Sequence, residues 1–368
     1  MSNYFLNLNL CYSSGSLLRS ASSSQSATTA FDRKLKQRQR DNAARAHQFW
    51  HATEDLKDVQ NYDYFHQEIA TRLVDRLDDI KRSEGFSLAL DLGAGAGWIH
   101  RAICADEAFD GGGGGIGGVK KLVQLDSSES MLFRDQNLEF EGQDLCDSYR
   151  MVADEENQLP FPDGTFDLVI SSSSLHWVNN LPGLFSEVNR VLKPDGCFLF
   201  AMIGATTLPE LRTSLALAEM ERDGGFSPRV GPFVELPDVG ALLQRAGFAL
   251  PTIDIDTLHI SFPDAAVLME HLQRMGESNA CLKRRDRTPL DVFLATACIY
   301  DHFFQLDSQA AGVDKKEIEA SVQVIYAIGW TPHESQQQPL ERGTATHKVG
   351  EIPVVEHVSG SGGSHSPS

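Results

Sequence analysis

The sequence predicts an α/β protein built on a doubly wound, mostly parallel sheet, and three observations carry that expectation. Short strands alternate with amphipathic helices, the strands are apolar enough to be buried on both faces, and one strand runs straight into a turn of alternating glycines. Residues 62–80 place Phe65, Ile69, Leu73, Leu77 and Ile80 at helical spacing, so a helix should cover the sheet or the mouth of its pocket. The first strand is expected over residues 86–92, with a helix from Trp98 to Ala105 behind it. Seven glycines between Gly111 and Gly118 read as a flexible connector before a second strand, Lys121 to Asp126. A third strand ends near Val152, a fourth runs from Phe166 to Ser171, and a fifth from Cys197 to Met202. Between the last two, Leu181 to Leu192 makes a helix closed by a Lys193-Pro194-Asp195-Gly196 turn. Helices at 209–222, 239–246, 265–275 and 289–304 then interleave with strand-like runs at 252–262 and 322–330.

Leu-Asp-Leu-Gly-Ala-Gly-Ala-Gly at residues 90–97 is the most informative stretch. Gly93, Gly95 and Gly97 let a strand-to-helix turn press its backbone against a ligand, since a Cβ would take the ligand's space or forbid the needed φ. A dinucleotide fingerprint would need glycine at position 98, where Trp98 stands. Asp91, just ahead of the glycines, favours an ammonium or sulfonium and would repel a pyrophosphate. The pattern D-x-G-x-G-x-G resembles motif I of the class I S-adenosylmethionine (SAM) methyltransferases. Two further acids complete the pocket that this resemblance implies: Asp126 at the end of the second strand to accept both ribose hydroxyls, and Asp154 after the third to accept from adenine N6. The run Asp163 to Val169 followed by Leu175-His176-Trp177 is similar to the fourth-strand region of the same enzymes. Their topology implies a seven-stranded sheet whose last two strands form an antiparallel edge, with the helices after strand five as a substrate lid.

Composition limits what else the chain can do. Its 368 residues are 41% hydrophobic and 23% charged, enough to bury a full core. A formal net charge of −19 disfavours unaided binding to nucleic acid or to an anionic membrane, and no apolar run reaches spanning length, leaving peripheral attachment as the most a membrane reading allows. Six dispersed cysteines without a C-x-x-C pair argue against a zinc ribbon or a disulfide scaffold. The first 31 residues hold Arg19, many serines and no acid, a composition suited to a mitochondrial transit peptide. The basic run Arg33, Lys34, Lys36, Arg38, Arg40 and Arg45 reads as a solvated helix face. The expected organisation is a leader over 1–30, a helical segment over 31–85, a ligand-binding core over 86–205, a helical lid with edge strands over 206–335, and a polar tail over 336–368.

A narrower resemblance rests on several blocks: residues 31–33, Ala43-Ala44-Arg45, 62–77, Leu175-His176-Trp177, 221–228, Met275-Gly276-Glu277-Ser278-Asn279 and 341–346. Together they are similar to the mitochondrial arginine hydroxylases that assist complex I assembly, themselves related to the malonyl-acyl-carrier-protein methyltransferases. The 221–228 and 275–279 blocks favour the hydroxylases. Ala94, Ala96 and the glycine insertion depart from the family without removing a glycine or an acid of the pocket. The resemblance implies a SAM-binding fold and hydroxylation of an arginine on a matrix-facing iron–sulfur subunit of complex I. Two other readings stay open, methyl transfer to a carrier-bound carboxylate or small molecule and a non-catalytic, SAM-stabilised assembly factor.

The residues themselves do not derive hydroxylation. A non-haem iron site would want two histidines and a carboxylate. His66-Gln67-Glu68 lies on a helix, where residues two apart do not share a face, so it reads as a solvated helix and no metal ligand is assigned. His176 and Trp177, at the lip of the pocket, are the candidate substrate-contacting pair, with core packing as an equal reading. Glu219, Glu221 and Asp223 could hold a substrate guanidinium, though they fit better as the solvated end of a helix.

Overall fold

The structure is a computed structural model that describes residues 29–53, 62–80, 82, 85–105, 114–225, 227–285, 287–306 and 317–336. Nearly all of the expected leader and of the polar tail, the 341–346 block and the start of the glycine run lie outside these residues. The elements are, in order, α1 (Arg33–Thr53), α2 (Tyr64–Asp78), β1 (Leu88–Leu92), α3 (Trp98–Ile103), β2 (Lys121–Asp126), α4 (Glu129–Leu132), β3 (Asp147–Val152), β4 (Phe166–Ser172) and α5 (Leu181–Val191). There follow β5 (Leu192–Ile203), α6 (Pro209–Asp223), α7 (Leu236–Arg245), β6 (Ala249–Phe262), α8 (Ala265–Arg274), α9 (Leu290–Phe303) and β7 (Ile318–Trp330).

The strands form one seven-stranded sheet in the order β3-β2-β1-β4-β5-β7-β6. β1 to β5 pair in parallel, and β7 pairs antiparallel with both β5 and β6. The order reverses between β1 and β4, so a crevice opens outside the C-terminal tip of β1, where open α/β sheets bind their ligands.

Alternation along the buried strands divides the core in two. Ala89, Leu168, Ile170 and Leu199 face the side where Ile69, Leu73 and Leu77 of α2 pack. Leu90, Leu92, Val169 and Phe198 face the other, against Phe185 and Val188 of α5 and Leu243 of α7. The four-residue spacing of α2 is thus spent on one apolar stripe, each fully buried leucine stabilising by about 1.5–3 kcal/mol. No helix among the described residues is long and apolar enough to cross a membrane.

Three local expectations are corrected. Lys193 to Gly196 is a bulge within β5, whose register on β4 jumps from the pair Phe166–Leu192 to the pair Leu168–Cys197, with Asp195 at φ 60°. The described end of the glycine run is a packed turn rather than a flexible connector. Residues 116–118 are buried, Gly115 bridges to Val119, and a Cβ on Gly115 would lie 2.4 Å from the Ile103 side chain. Finally, α1 is solvated on one side only: Lys34, Arg38 and Arg45 are exposed, but Arg33, Lys36 and Arg40 lie across the crevice.

Candidate functional site

The strand tips carry the acids. Asp91, the fourth residue of β1, is fully buried, and neither of its carboxylate oxygens has a hydrogen-bond partner. Burial, and then the neighbouring charge of Asp126, holds its carboxyl well above the usual aspartate range. A buried carboxylate without donors is costly, so this position is built for a cationic or hydrogen-donating partner.

Gly93, Gly95 and Gly97 all have positive φ, at 77°, 59° and 86°, which explains the residue type. The space beside them is filled by the chain itself. A Cβ on Gly93 would fall 2.1 Å from Ser174 Oγ, and one on Gly95 would meet the Trp98 ring at 2.0 Å.

Asp126 ends β2 and is fully buried. It accepts from the backbone N–H of Gly95 (2.8 Å) and of Ser128 (2.7 Å). The Arg40 guanidinium also binds it through both nitrogens, at 2.9 and 2.6 Å. Asp154, past the end of β3, is partly exposed and takes Arg33 at 2.9 Å, while its buried neighbour Glu155 takes the same nitrogen at 2.7 Å. Between them, Lys36 is almost wholly enclosed. Its ammonium donates to the carbonyls of Gly276 (3.0 Å) and Ser278 (2.9 Å), sits 3.4 Å from the centre of the Trp177 ring, and is pushed by burial down to about 8.

Half of the basic run is therefore a strap: Arg33, Lys36 and Arg40 each engage a different part of the crevice, while Lys34, Arg38 and Arg45 are exposed as expected. The signal was available in the sequence, since Arg33, Lys36 and Arg40 are spaced three and four apart and share one helical face. The start of α1 is anchored as well, because the Asn179 side chain accepts from the backbone N–H of Ala30 (2.9 Å) and Phe31 (2.8 Å).

With Arg40 on Asp126 and Trp98 over Gly95, the space left between strap and strand tips is about 20 Å³. The donor set suits a nucleoside with a cationic tail: Asp91 for an ammonium, Asp126 for a diol, Asp154 for an exocyclic amine. The volume suits it only once Arg40 and Trp98 give way.

A second, larger cavity of about 340 Å³ lies under the lid helices on the far side of Trp177, and its walls are mainly apolar. The two spaces share His66, Ser173, Trp177, Met275 and Glu277. The candidate residues His176 and Trp177 form a 3-10 turn after β4 at this junction, and both are buried. Trp177 Nε1 donates to Glu277 Oε2 at 2.8 Å, and His176 Nε2 stands 3.7 Å from that oxygen. Burial lowers His176 despite Glu277, and it lowers His66, so both imidazoles are neutral. Although burial works to raise it, Lys36 and then His176 hold the Glu277 carboxyl well below its usual range.

His66 is a correction. It is buried and stacked on Trp98 with centroids 4.5 Å apart, and neither ring nitrogen has a hydrogen-bond partner. Glu68, two residues on, points elsewhere and pairs with Arg72. At the end of α6 only Glu219 departs from the expected solvated end, being buried on Arg229 and Ser227. Glu221 and Asp223 are exposed, Asp223 pairs with Arg285, and neither lines a described cavity. Sequence reasoning missed Lys36, Arg40, His66 and Glu277. Glu277 lay inside a quoted block but had no partner within reach along the chain.

Comparison with known proteins agrees with this architecture. A family model described as a methyltransferase domain matches residues 90–200, from β1 through most of β5. The relative "Arginine-hydroxylase NDUFAF5, mitochondrial" of Danio rerio is 39% identical over 90% of this chain and 92% of its own length. The protein of the same name from Homo sapiens is 39% identical over 92% of this chain and 87% of its own. A malonyl-[acyl-carrier protein] O-methyltransferase of Xylella fastidiosa is 30% identical, over 55% of this chain and 63% of its own length. Kinship along nearly the whole chain, on a sheet of the SAM-methyltransferase topology, makes this chain a member of the NDUFAF5 arginine-hydroxylase family.

Proposed function

We propose that the chain binds SAM in the strand-tip crevice and modifies an arginine, by hydroxylation, on a matrix-facing iron–sulfur subunit of mitochondrial complex I during assembly. The carrying observation is kinship with arginine hydroxylases over 90% of the chain, joined to an unpaired, buried Asp91 at the tip of β1. Asp91 would hold the amino group, Asp126 the ribose hydroxyls once Arg40 has moved off, and Asp154 the adenine amine. Gly93, Gly95 and Gly97 supply the positive φ of the turn, and Gly95 would let it approach the ligand closely once Trp98 has moved aside. SAM would supply a sulfonium, a fixed positive charge bearing an electrophilic methyl group. His176 and Trp177, both buried, would stand between that ligand and the larger cavity. The name of the relatives supports mitochondrial location, and the 221–228 and 275–279 blocks support the complex I partner. Contact with the inner membrane is at most peripheral.

The test is an intact-mass comparison of complex I iron–sulfur subunits from cells with and without this protein. A gain of one oxygen on an arginine, lost in the deleted cells, is expected; an unchanged subunit would overturn the reading. A gain of a methyl group would instead favour methyl transfer, for which kinship to the malonyl-carrier enzyme over 55% of the chain is the supporting observation. An assembly defect cured by a variant unable to bind SAM would favour a binding role without catalysis.

A further inference from the structure

Among the described residues that line the large cavity Glu277 is the one acid, and the one lysine or arginine there, Arg229, is already bound to Glu219. Its surroundings are unusual in being one-sided. Trp177 Nε1 at 2.8 Å, His176 Nε2 at 3.7 Å and Lys36 Nζ at 3.8 Å all approach the same oxygen, Oε2. Oε1 takes no hydrogen bond from a described residue, and the carboxylate is in its charged form. Around it the rings of His176, Trp177 and Phe233 stand with centroids 5.2 to 5.5 Å apart, and beyond them the cavity walls are mainly apolar, among them Leu211, Leu215, Phe262 and Val322.

We propose that Glu277 anchors the guanidinium of the substrate arginine, whose aliphatic stem runs through the apolar cavity to reach it. This rests on the arginine reading above and assigns the residue that recognises it. A guanidinium is planar, delocalised and weakly hydrated, so it stacks on aromatic faces and enters apolar surroundings at less cost than an ammonium. It also presents N–H donors to a carboxylate edge, which is what an uncommitted Oε1 needs. The alternatives on α6 are spent, Glu219 on Arg229 and Asp223 on Arg285. Lys36 then acts as the resident counter-charge that keeps Glu277 ionised between substrates.

Hexylguanidinium and its neutral isostere hexylurea, titrated into the full chain, separate charge recognition from apolar filling. The wild-type chain is expected to prefer the cation by at least about tenfold, the factor associated with a hydrogen bond to a charged group. Glu277→Gln should erase that preference, whereas Ala320→Phe, which narrows the cavity, should weaken both ligands together. A reading independent of any variant at Glu277 is the Trp177 indole N–H resonance, identified by its loss in Trp177→Phe. Hexylguanidinium should shift it by more than hexylurea, which fills the same cavity without an ion pair to Glu277. Equal binding of the two ligands, a preference that survives Glu277→Gln, or an unmoved Trp177 signal would overturn the assignment. A subunit still oxidised on arginine in cells would then show that only the anchor was wrong. Cation-selective binding beside an unmodified subunit would show that the arginine reading was wrong.

Discussion

The crevice at the strand tips and the cavity under the lid meet at Glu277 but are built on opposite plans. The first is crowded and charged, with each acid held by a cation of α1 apart from Asp91, which has no partner. The second is roomy, apolar and nearly uncharged. In the crevice, binding is an exchange of partners, because whatever docks on Asp126 must displace Arg40. In the cavity, binding is a matter of filling space and meeting one carboxylate. Affinity in the first should depend on charge variants of α1, and in the second on side-chain volume.

Asp126→Ala is the harshest way to break this contrast. It strips the ribose acceptor and leaves Arg40 a buried cation without its partner, so it should cost about 3–5 kcal/mol in chemical denaturation and abolish heat on titration with SAM. A fully stable variant that still binds SAM would mean that the crevice is not where the ligand sits.

Arg40→Gln sharpens it from the other side. Asp126 keeps its two backbone donors, from Gly95 and Ser128, and loses its competitor, so SAM should bind roughly tenfold more tightly, the equivalent of one charge-assisted bond. Weaker binding in calorimetry would turn Arg40 from a competitor into a ligand contact.

The smallest effect is expected at Asp91. Its raised carboxyl keeps a proton in the folded chain that the unfolded chain gives up near pH 4. Stability is therefore fully present below that pH and declines as pH rises toward the folded value. Asp91→Asn should flatten this decline and raise the melting temperature near neutrality by a few degrees, while weakening SAM. Parallel melting curves for the two chains from pH 4 to 7 would mean that Asp91 is already ionised.

What the sequence made legible follows the same division. Strand cores, the α2 stripe and the tips Asp91 and Asp126 could be read because each property belongs to a short window: apolar runs, helical spacing, an acid beside a turn. Glycine was rightly expected at positions 93, 95 and 97, but half of the reason differs, since Ser174 and Trp98 occupy the space reserved for a ligand. The cavity could not be read, because its wall joins Phe65 and His66 of α2 with Leu215 of α6, Leu268 of α8 and Val322 of β7, segments scattered along the chain. His66 was misjudged for a related reason. A single imidazole on a helix carries no periodic signal, and its burial depends on tertiary neighbours such as Trp98. The basic run was half misjudged, at Arg33, Lys36 and Arg40, because a repeat of cations reads as solvated until the acids opposite are known.

The position of β7 bears on when the molecule can be assembled. It is last among the described strands in sequence, yet in the sheet it lies between β5 and β6, and its Ala320 and Val322 form part of the cavity's floor. During synthesis β5 and β6 therefore wait as open edges, with α6 to α9 hanging over a gap, until the ribosome has released the chain past Trp330. A premature stop upstream of Ile318 would spare the glycine turn and its acids, yet deliver a protein with two unpaired edges, exposed to self-association and to proteases.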